Sequence, residues 1–136
     1  MGEVVTGEGY AIGTLDDLGE GPGFRKVRAP LGVTAFGVNA VVIPPGIESG
    51  RHFHDEQEEL YFVHQGEVEF VFGDGEQRHR LGPGGNARVD PHTVRQIRNV
   101  GDGDAIYVCV GGKDGYVGRD GRMPEGEGNR VRPIAS

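Results

Sequence analysis

Short apolar runs separated by Gly and Pro dominate the middle of the chain. Thr34 to Ile43 is the first. Phe36, Val38, Ala40 and Val42 fall on one face of an extended segment, and Ala35, Val41 and Ile43 on the other, which predicts a strand covered on both sides. Pro44-Pro45-Gly46 ends it. A polar stretch follows, and Glu59 to Gln65 is the next strand, with Glu59, Tyr61 and Val63 on its inward phase. Glu67 to Phe72 alternates, with Val68, Phe70 and Phe72 inward. Gly73-Asp74-Gly75 then predicts a hairpin turn to a charged edge strand, Gln77 to Leu81. Ala87 to Val89, Thr93 to Val100 and Ala105 to Val110 are further strands, the last expected to be buried on both faces. Ahead of them, Thr14 and Asp17 have the spacing of a cap on a helical turn, Leu15 to Leu18. Many short strands between Gly/Pro turns predict an all-β sandwich or barrel.

The division expected from this pattern is a lead-in over 1–33, a barrel over 34–110 and a Gly-rich tail over 111–136. The tail has no periodicity. Either it is disordered, as segments that bury little surface are, or Tyr116 and Val117 fold back as a flap.

Composition narrows the function classes. The chain has 136 residues, enough for one domain with a core, and 26 of them are Gly. Against 14 Lys and Arg stand 21 Asp and Glu, a net charge of −7 that argues against a nucleic-acid partner. The single Cys109 excludes a disulfide framework and a multi-cysteine zinc site. No apolar run approaches the roughly 20 residues of a membrane span. No secretory leader is recognisable, so the cytoplasm is the expected compartment. Met1-Gly2 with Thr6 fits the short N-myristoylation pattern, with nothing else pointing to an anchor. The cations are almost all Arg, as in a GC-rich bacterial gene. No phosphate-binding glycine motif and no serine-nucleophile setting is present.

The chemistry concentrates in one place. His52 and His54 are two residues apart, so on an extended segment both rings point to one face. Glu59 opens the next strand after a short turn and points inward. Two imidazoles and a carboxylate meeting there make a three-point site for a divalent ion (Fe, Mn, Ni, Co or Zn) with positions left open. His64 and His79 fall on outward or edge positions, and Cys109 reads as a small buried apolar residue.

The spacing Gly46-x5-His52-x-His54-x4-Glu59-x6-Gly66 fits the first motif of the cupin superfamily at each fixed position. The second cupin motif is matched in part. Gly84 and Asn99 are in place, but Asp90 replaces its Pro, His92 its Gly, and Arg95 the His that usually gives a fourth ligand. The chain therefore resembles a small single-domain cupin from Thr34 to Val110. The resemblance implies a double-stranded β-helix, a jelly-roll barrel. It implies a small-molecule partner and, among single-domain members, dioxygenase, isomerase, epimerase, decarboxylase or lyase activity. Cupins often dimerise through the outer face, and a homodimer or a swapped N-terminal strand would cover the outward Leu60 and Phe62.

Arg95 leaves alternatives open. A guanidinium ~5 Å from a divalent ion costs several kcal/mol at an effective dielectric of about 20. In one reading the metal binds His52, His54 and Glu59, with His92 the candidate fourth ligand, and Arg95 swings to the mouth to clamp an anionic or sugar-like ligand beside Tyr61. In the second no metal binds and Arg95 pairs with Glu59 in a non-catalytic binding module. In the third the cluster is a structural polar plug.

Overall fold

The computed structural model describes residues 3–125, 127 and 131–134. The myristoylation pattern at Met1-Gly2 lies outside them. Two five-stranded antiparallel sheets face each other. The first has the order β10(Asn86–Val89), β7(Glu58–Gln65), β12(Ala105–Gly112), β4(Gly37–Ile43), β3(Gly23–Lys26). The second runs β14(Arg132–Pro133), β5(Ile47–Glu48), β11(Arg95–Asn99), β8(Val68–Phe72), β9(Gln77–Leu81). Two small ribbons complete the fold, β1(Val5–Gly7) with β2(Tyr10–Ile12) and β6(Phe53–His54) with β13(Gly121–Arg122). Apart from the consecutive antiparallel pairs β3–β4 and β8–β9, the chain crosses from one sheet to the other between successive strands of the two sheets, as in a jelly-roll barrel.

The period-2 pattern explains the core. Tyr61 and Val63 from β7, Val68 and Phe70 from β8, Ile97 from β11 and Tyr107 from β12 meet between the sheets with Ile43, Val89 and Ala105. Tyr61 packs edge-on to Phe70, 5.4 Å between ring centres. On the other face of β7, Leu60 and Phe62 stay 43% and 40% exposed. The outer face of β12 is only half-buried at Ile106, Val108 and Val110, short of the two-sided burial expected from its apolar run. These residues sit beside Leu60, Phe62 and β4's outer side chains, and apolar neighbours within one sheet cover each other only from the sides.

Two motif positions have clear structural jobs. Gly66 holds φ +83° at the β7–β8 turn, where a Cβ would come within 2.8 Å of the Ala105 Cα and 2.9 Å of the Asp104 carbonyl oxygen. Asn99, fully buried, donates to the carbonyls of Ile43 (2.8 Å) and Gly103 (2.9 Å) and accepts from the Gly101 N–H (2.9 Å). It pins the turn before β12 to the end of β4.

The ends of the chain are ordered where described. Thr14 and Asp17 form a reciprocal capping box on the 3₁₀ turn Leu15–Leu18. From the lead-in, β3 pairs with β4 of the same chain. From the tail, β13 pairs with β6 and β14 with β5. Tyr116 packs under the Arg28 guanidinium, 4.1 Å above its ring. The disordered alternative for the tail does not hold for these residues, because they find strand edges and side chains to bond. No helix among the described residues is long and apolar enough to cross a membrane.

Candidate metal centre

His52 and His54 lie on an extended segment held from both sides. His52 exchanges backbone hydrogen bonds with Arg95 (3.0 and 2.8 Å), and the His54 N–H donates to the Pro91 carbonyl (2.7 Å). On the far side His54 pairs with Gly121 of β13. The two imidazoles are edge-to-face, 5.2 Å between centres, so they share a face as their spacing requires. Glu59 arrives from β7. The ligand atoms of His52, His54 and Glu59 all lie within 4.8 Å of one another. They line a cavity of about 810 Å³, with Val41, Tyr107 and Cys109 on its wall and Arg28, Tyr116 and Arg119 also bordering it.

Glu59 and His54 are held by neighbours. Glu59 Oε1 accepts from the Tyr61 hydroxyl at 2.6 Å. His54 Nδ1 lies 2.7 Å from Asp120 Oδ1. His54 Nε2 is 3.0 Å from Glu59 Oε1 but not aligned with it, and this buried nitrogen has no hydrogen-bond partner.

The protonation states follow from this environment. Burial, with the Arg95 charge behind it, lowers His52 to about 4, so it is a neutral imidazole at neutral pH. Burial also pushes His54 downward, but the carboxylates of Glu59 and Asp120 outweigh it and hold His54 above its ordinary 6.5. Burial opposes ionisation of Glu59. The His54 ring and the Tyr61 hydroxyl overcome it and bring Glu59 down to about 2. Tyr61 and Cys109 are pushed well above their usual ranges, chiefly by burial, with negative charge at Cys109 and Glu59 adding to it for Tyr61 and the Glu59 carboxylate adding to it for Cys109. Both keep their protons.

This donor set fits a divalent ion. Glu59 is ionised, His52 is neutral, and the Nε2 of His54, which makes no hydrogen bond, faces the other two; the raised pKa of His54 means that an ion binding there displaces a proton.

The other sequence candidates fall differently. Tyr61 lines the cavity, yet its hydroxyl is engaged by Glu59. His92 is exposed and outside the cluster, since the chain turns there before β11. Arg95 is fully buried and is not among the cavity-lining residues. It does not swing to the mouth. Its guanidinium donates to the carbonyls of Pro91 (3.3 Å) and Asp90 (3.2 Å), with Nη2 3.9 Å from Glu59 Oε1. The turn at 90–91 folds back over its side chain and offers those acceptors. Cys109 is more than packing: it faces the cavity beside Glu59. Sequence reading missed Asp120 altogether, because Arg119-Asp120-Gly121 carries no motif.

Comparison with known proteins agrees with this geometry. The family description "Cupin domain" matches residues 39–111. No curated protein matches the chain. Among solved structures, a sugar phosphate isomerase from a cupin superfamily of Silicibacter pomeroyi DSS-3 is 31% identical over 66% of this chain and 58% of its own, with a TM-score of 0.59. The present chain thus spans little more than half the length of that relative. A DMSP lyase of Ruegeria pomeroyi DSS-3 is 27% identical over 68% of this chain and 46% of its own, TM-score 0.58. A double-stranded β-helix protein of Klebsiella pneumoniae, 24% identical, covers 84% of this chain and 96% of its own at a TM-score of 0.70, a likeness of fold. With more than half of the sequence inside the matched segment, and with its first motif folded into one cavity, the chain belongs to the cupin family.

Proposed function

We propose that this chain is a divalent-metal enzyme of isomerase or lyase type acting on a small anionic or sugar-like substrate. The observation that carries it is the His52–His54–Glu59 trio, with an unpartnered ligand nitrogen, opening onto a cavity of about 810 Å³. The reaction class draws on the sugar phosphate isomerase and the DMSP lyase among its structural relatives, and is analogy. A metal bound here supplies a Lewis acid for a substrate oxygen. The chain's own residues supply the rest. Tyr61 keeps its proton and fixes the Glu59 carboxylate. Val41 and Tyr107 give an apolar wall that displaces water. Arg28 and Arg119 border the cavity with positive charge suited to an anionic group.

A second reading is a metal-free ligand-binding module in which Arg95 answers Glu59. The 3.9 Å approach of a fully buried guanidinium to that carboxylate favours it. Metal titration of three proteins separates the two. In the enzyme reading the wild type binds one equivalent of Mn²⁺ or Fe²⁺. His52→Ala then loses that binding while keeping the fold. Arg95→His, which replaces a cation with a fourth imidazole on the inward face of β11, tightens binding by about tenfold or more, at least 1.4 kcal/mol. No binding by the wild type, or equal binding by His52→Ala, overturns the metal site and leaves the second reading.

A further inference from the structure

Asp120 is a densely bonded carboxylate, and it lies outside the family-matched segment, which ends at residue 111. Four groups converge on it. Its Oδ2 accepts from the backbone N–H groups of Glu56 (2.8 Å) and Gln57 (3.0 Å), and its Oδ1 accepts from Gln57 Nε2 (2.6 Å). The fourth is His54 Nδ1, 2.7 Å from Oδ1. The Asp55 N–H also donates to the Asp120 backbone carbonyl at 3.2 Å. The turn between His54 and Glu59 is thereby folded around this one side chain.

A carboxylate with three donors already on it offers only acceptor capacity to the imidazole. Nδ1 of His54 must therefore carry the ring proton. Glu59 Oε1 also lies 3.0 Å from Nε2, but it is out of line with that nitrogen, which makes no hydrogen bond, whereas Asp120 Oδ1 meets Nδ1 at 2.7 Å, so the proton of the neutral ring sits on Nδ1. We propose that Asp120 is the positioning residue of the site: it fixes His54 in the Nδ1–H tautomer and turns a bare Nε2 toward His52 and Glu59. An outer carboxylate on a ligating imidazole fixes its ring and raises its basicity. Here the tail beyond β12 supplies it. The metal consequence rests on the function proposed above. The tautomer does not.

The side chain of Gln57 is part of the same clasp. Gly111 makes room for it: a Cβ at that position would come within 2.3 Å of Gln57 Oε1.

The test is ¹⁵N NMR of the imidazole nitrogens in metal-free protein at alkaline pH, comparing wild type with Asp120→Asn, followed by Mn²⁺ titration of both. In the wild type, His54 shows a protonated Nδ1 and a bare Nε2. An asparagine keeps only one acceptor oxygen. Turned to the Glu56 and Gln57 N–H groups, it presents its NH₂ to His54, so the tautomer shifts to Nε2–H and Mn²⁺ affinity falls about 10- to 100-fold. A protonated Nε2 in the wild type overturns the proposal whether or not the variant folds. So does an Asp120→Asn protein that folds and keeps both the wild-type tautomer and its affinity. A wild type with the expected tautomer that binds no Mn²⁺ supports the role of Asp120 and overturns the metal reading instead.

Discussion

Two histidines a single residue apart are driven in opposite directions by what surrounds them. His52 is half-buried, and desolvation and the nearby Arg95 charge outweigh the Glu59 carboxylate on its other side. His54 lies between Glu59 and Asp120. In metal-free protein an NMR titration should give a midpoint of about 4 for His52 and one above 6.5 for His54. Both rings titrating together near 6.5 would contradict this environment. Stability follows with a worked sign. The depressed pKa of Glu59 costs stability as pH falls from 4.5 through about 2, and that of His52 as pH falls from 6.5 through about 4. The raised pKa of His54 contributes stability that is full below 6.5 and is lost as pH rises through its folded-state value. From these three groups the maximum lies near pH 6.5. The clustering of His52, His54 and Glu59 was legible in the sequence because the three are close along the chain and strand periodicity fixes their direction. Asp120 was not, since its contact with His54 spans 66 residues and depends on the path of a Gly-rich tail. The position of Arg95 was legible. Its destination was not, because carbonyls exposed by an irregular turn, not side-chain partners, receive it.

At the scale of elements, turns and strand edges decide the site. The alternation in β7 and β8 and the charged edge β9 follow from a period-2 pattern. The pairing of β13 with β6 and of β14 with β5 involves two-residue strands, too short for any pattern to announce. They are held instead by side chains such as Arg132, which donates to Glu48 at 2.7 Å while Arg98 reaches the same carboxylate at 3.1 Å. The turn at Gly66 carries the sharpest expectation here. Both Gly46 and Gly66 have positive φ, but a Cβ at Gly46 meets open space, whereas at Gly66 it meets backbone. Gly46→Ala should cost about 1 kcal/mol, the left-handed penalty alone. Gly66→Ala should cost more than about 2 kcal/mol, because the penalty is joined by a clash with Ala105. Urea unfolding of the two variants checks this. Equal losses would mean that the β7–β8 turn does not press on β12 as described.

Taken whole, the molecule is a barrel whose His–His–Glu cluster sits in the first motif and whose cavity is bordered by both ends of the chain. The matched segment supplies His52, His54, Glu59 and the apolar walls. The lead-in brings Arg28 and Phe24 to the cavity, and the tail brings Tyr116, Arg119 and Asp120. The division into lead-in, barrel and tail follows motif boundaries, while the cavity is built across all three stretches. Anomalous diffraction from crystals of protein purified without chelator tests the central claim most directly. The account predicts a peak at about 2.0–2.3 Å from His54 Nε2, a nitrogen of His52 and an oxygen of Glu59. Crystals soaked in Mn²⁺ or Zn²⁺ that show no peak there, with Arg95 closed onto Glu59 instead, would contradict it.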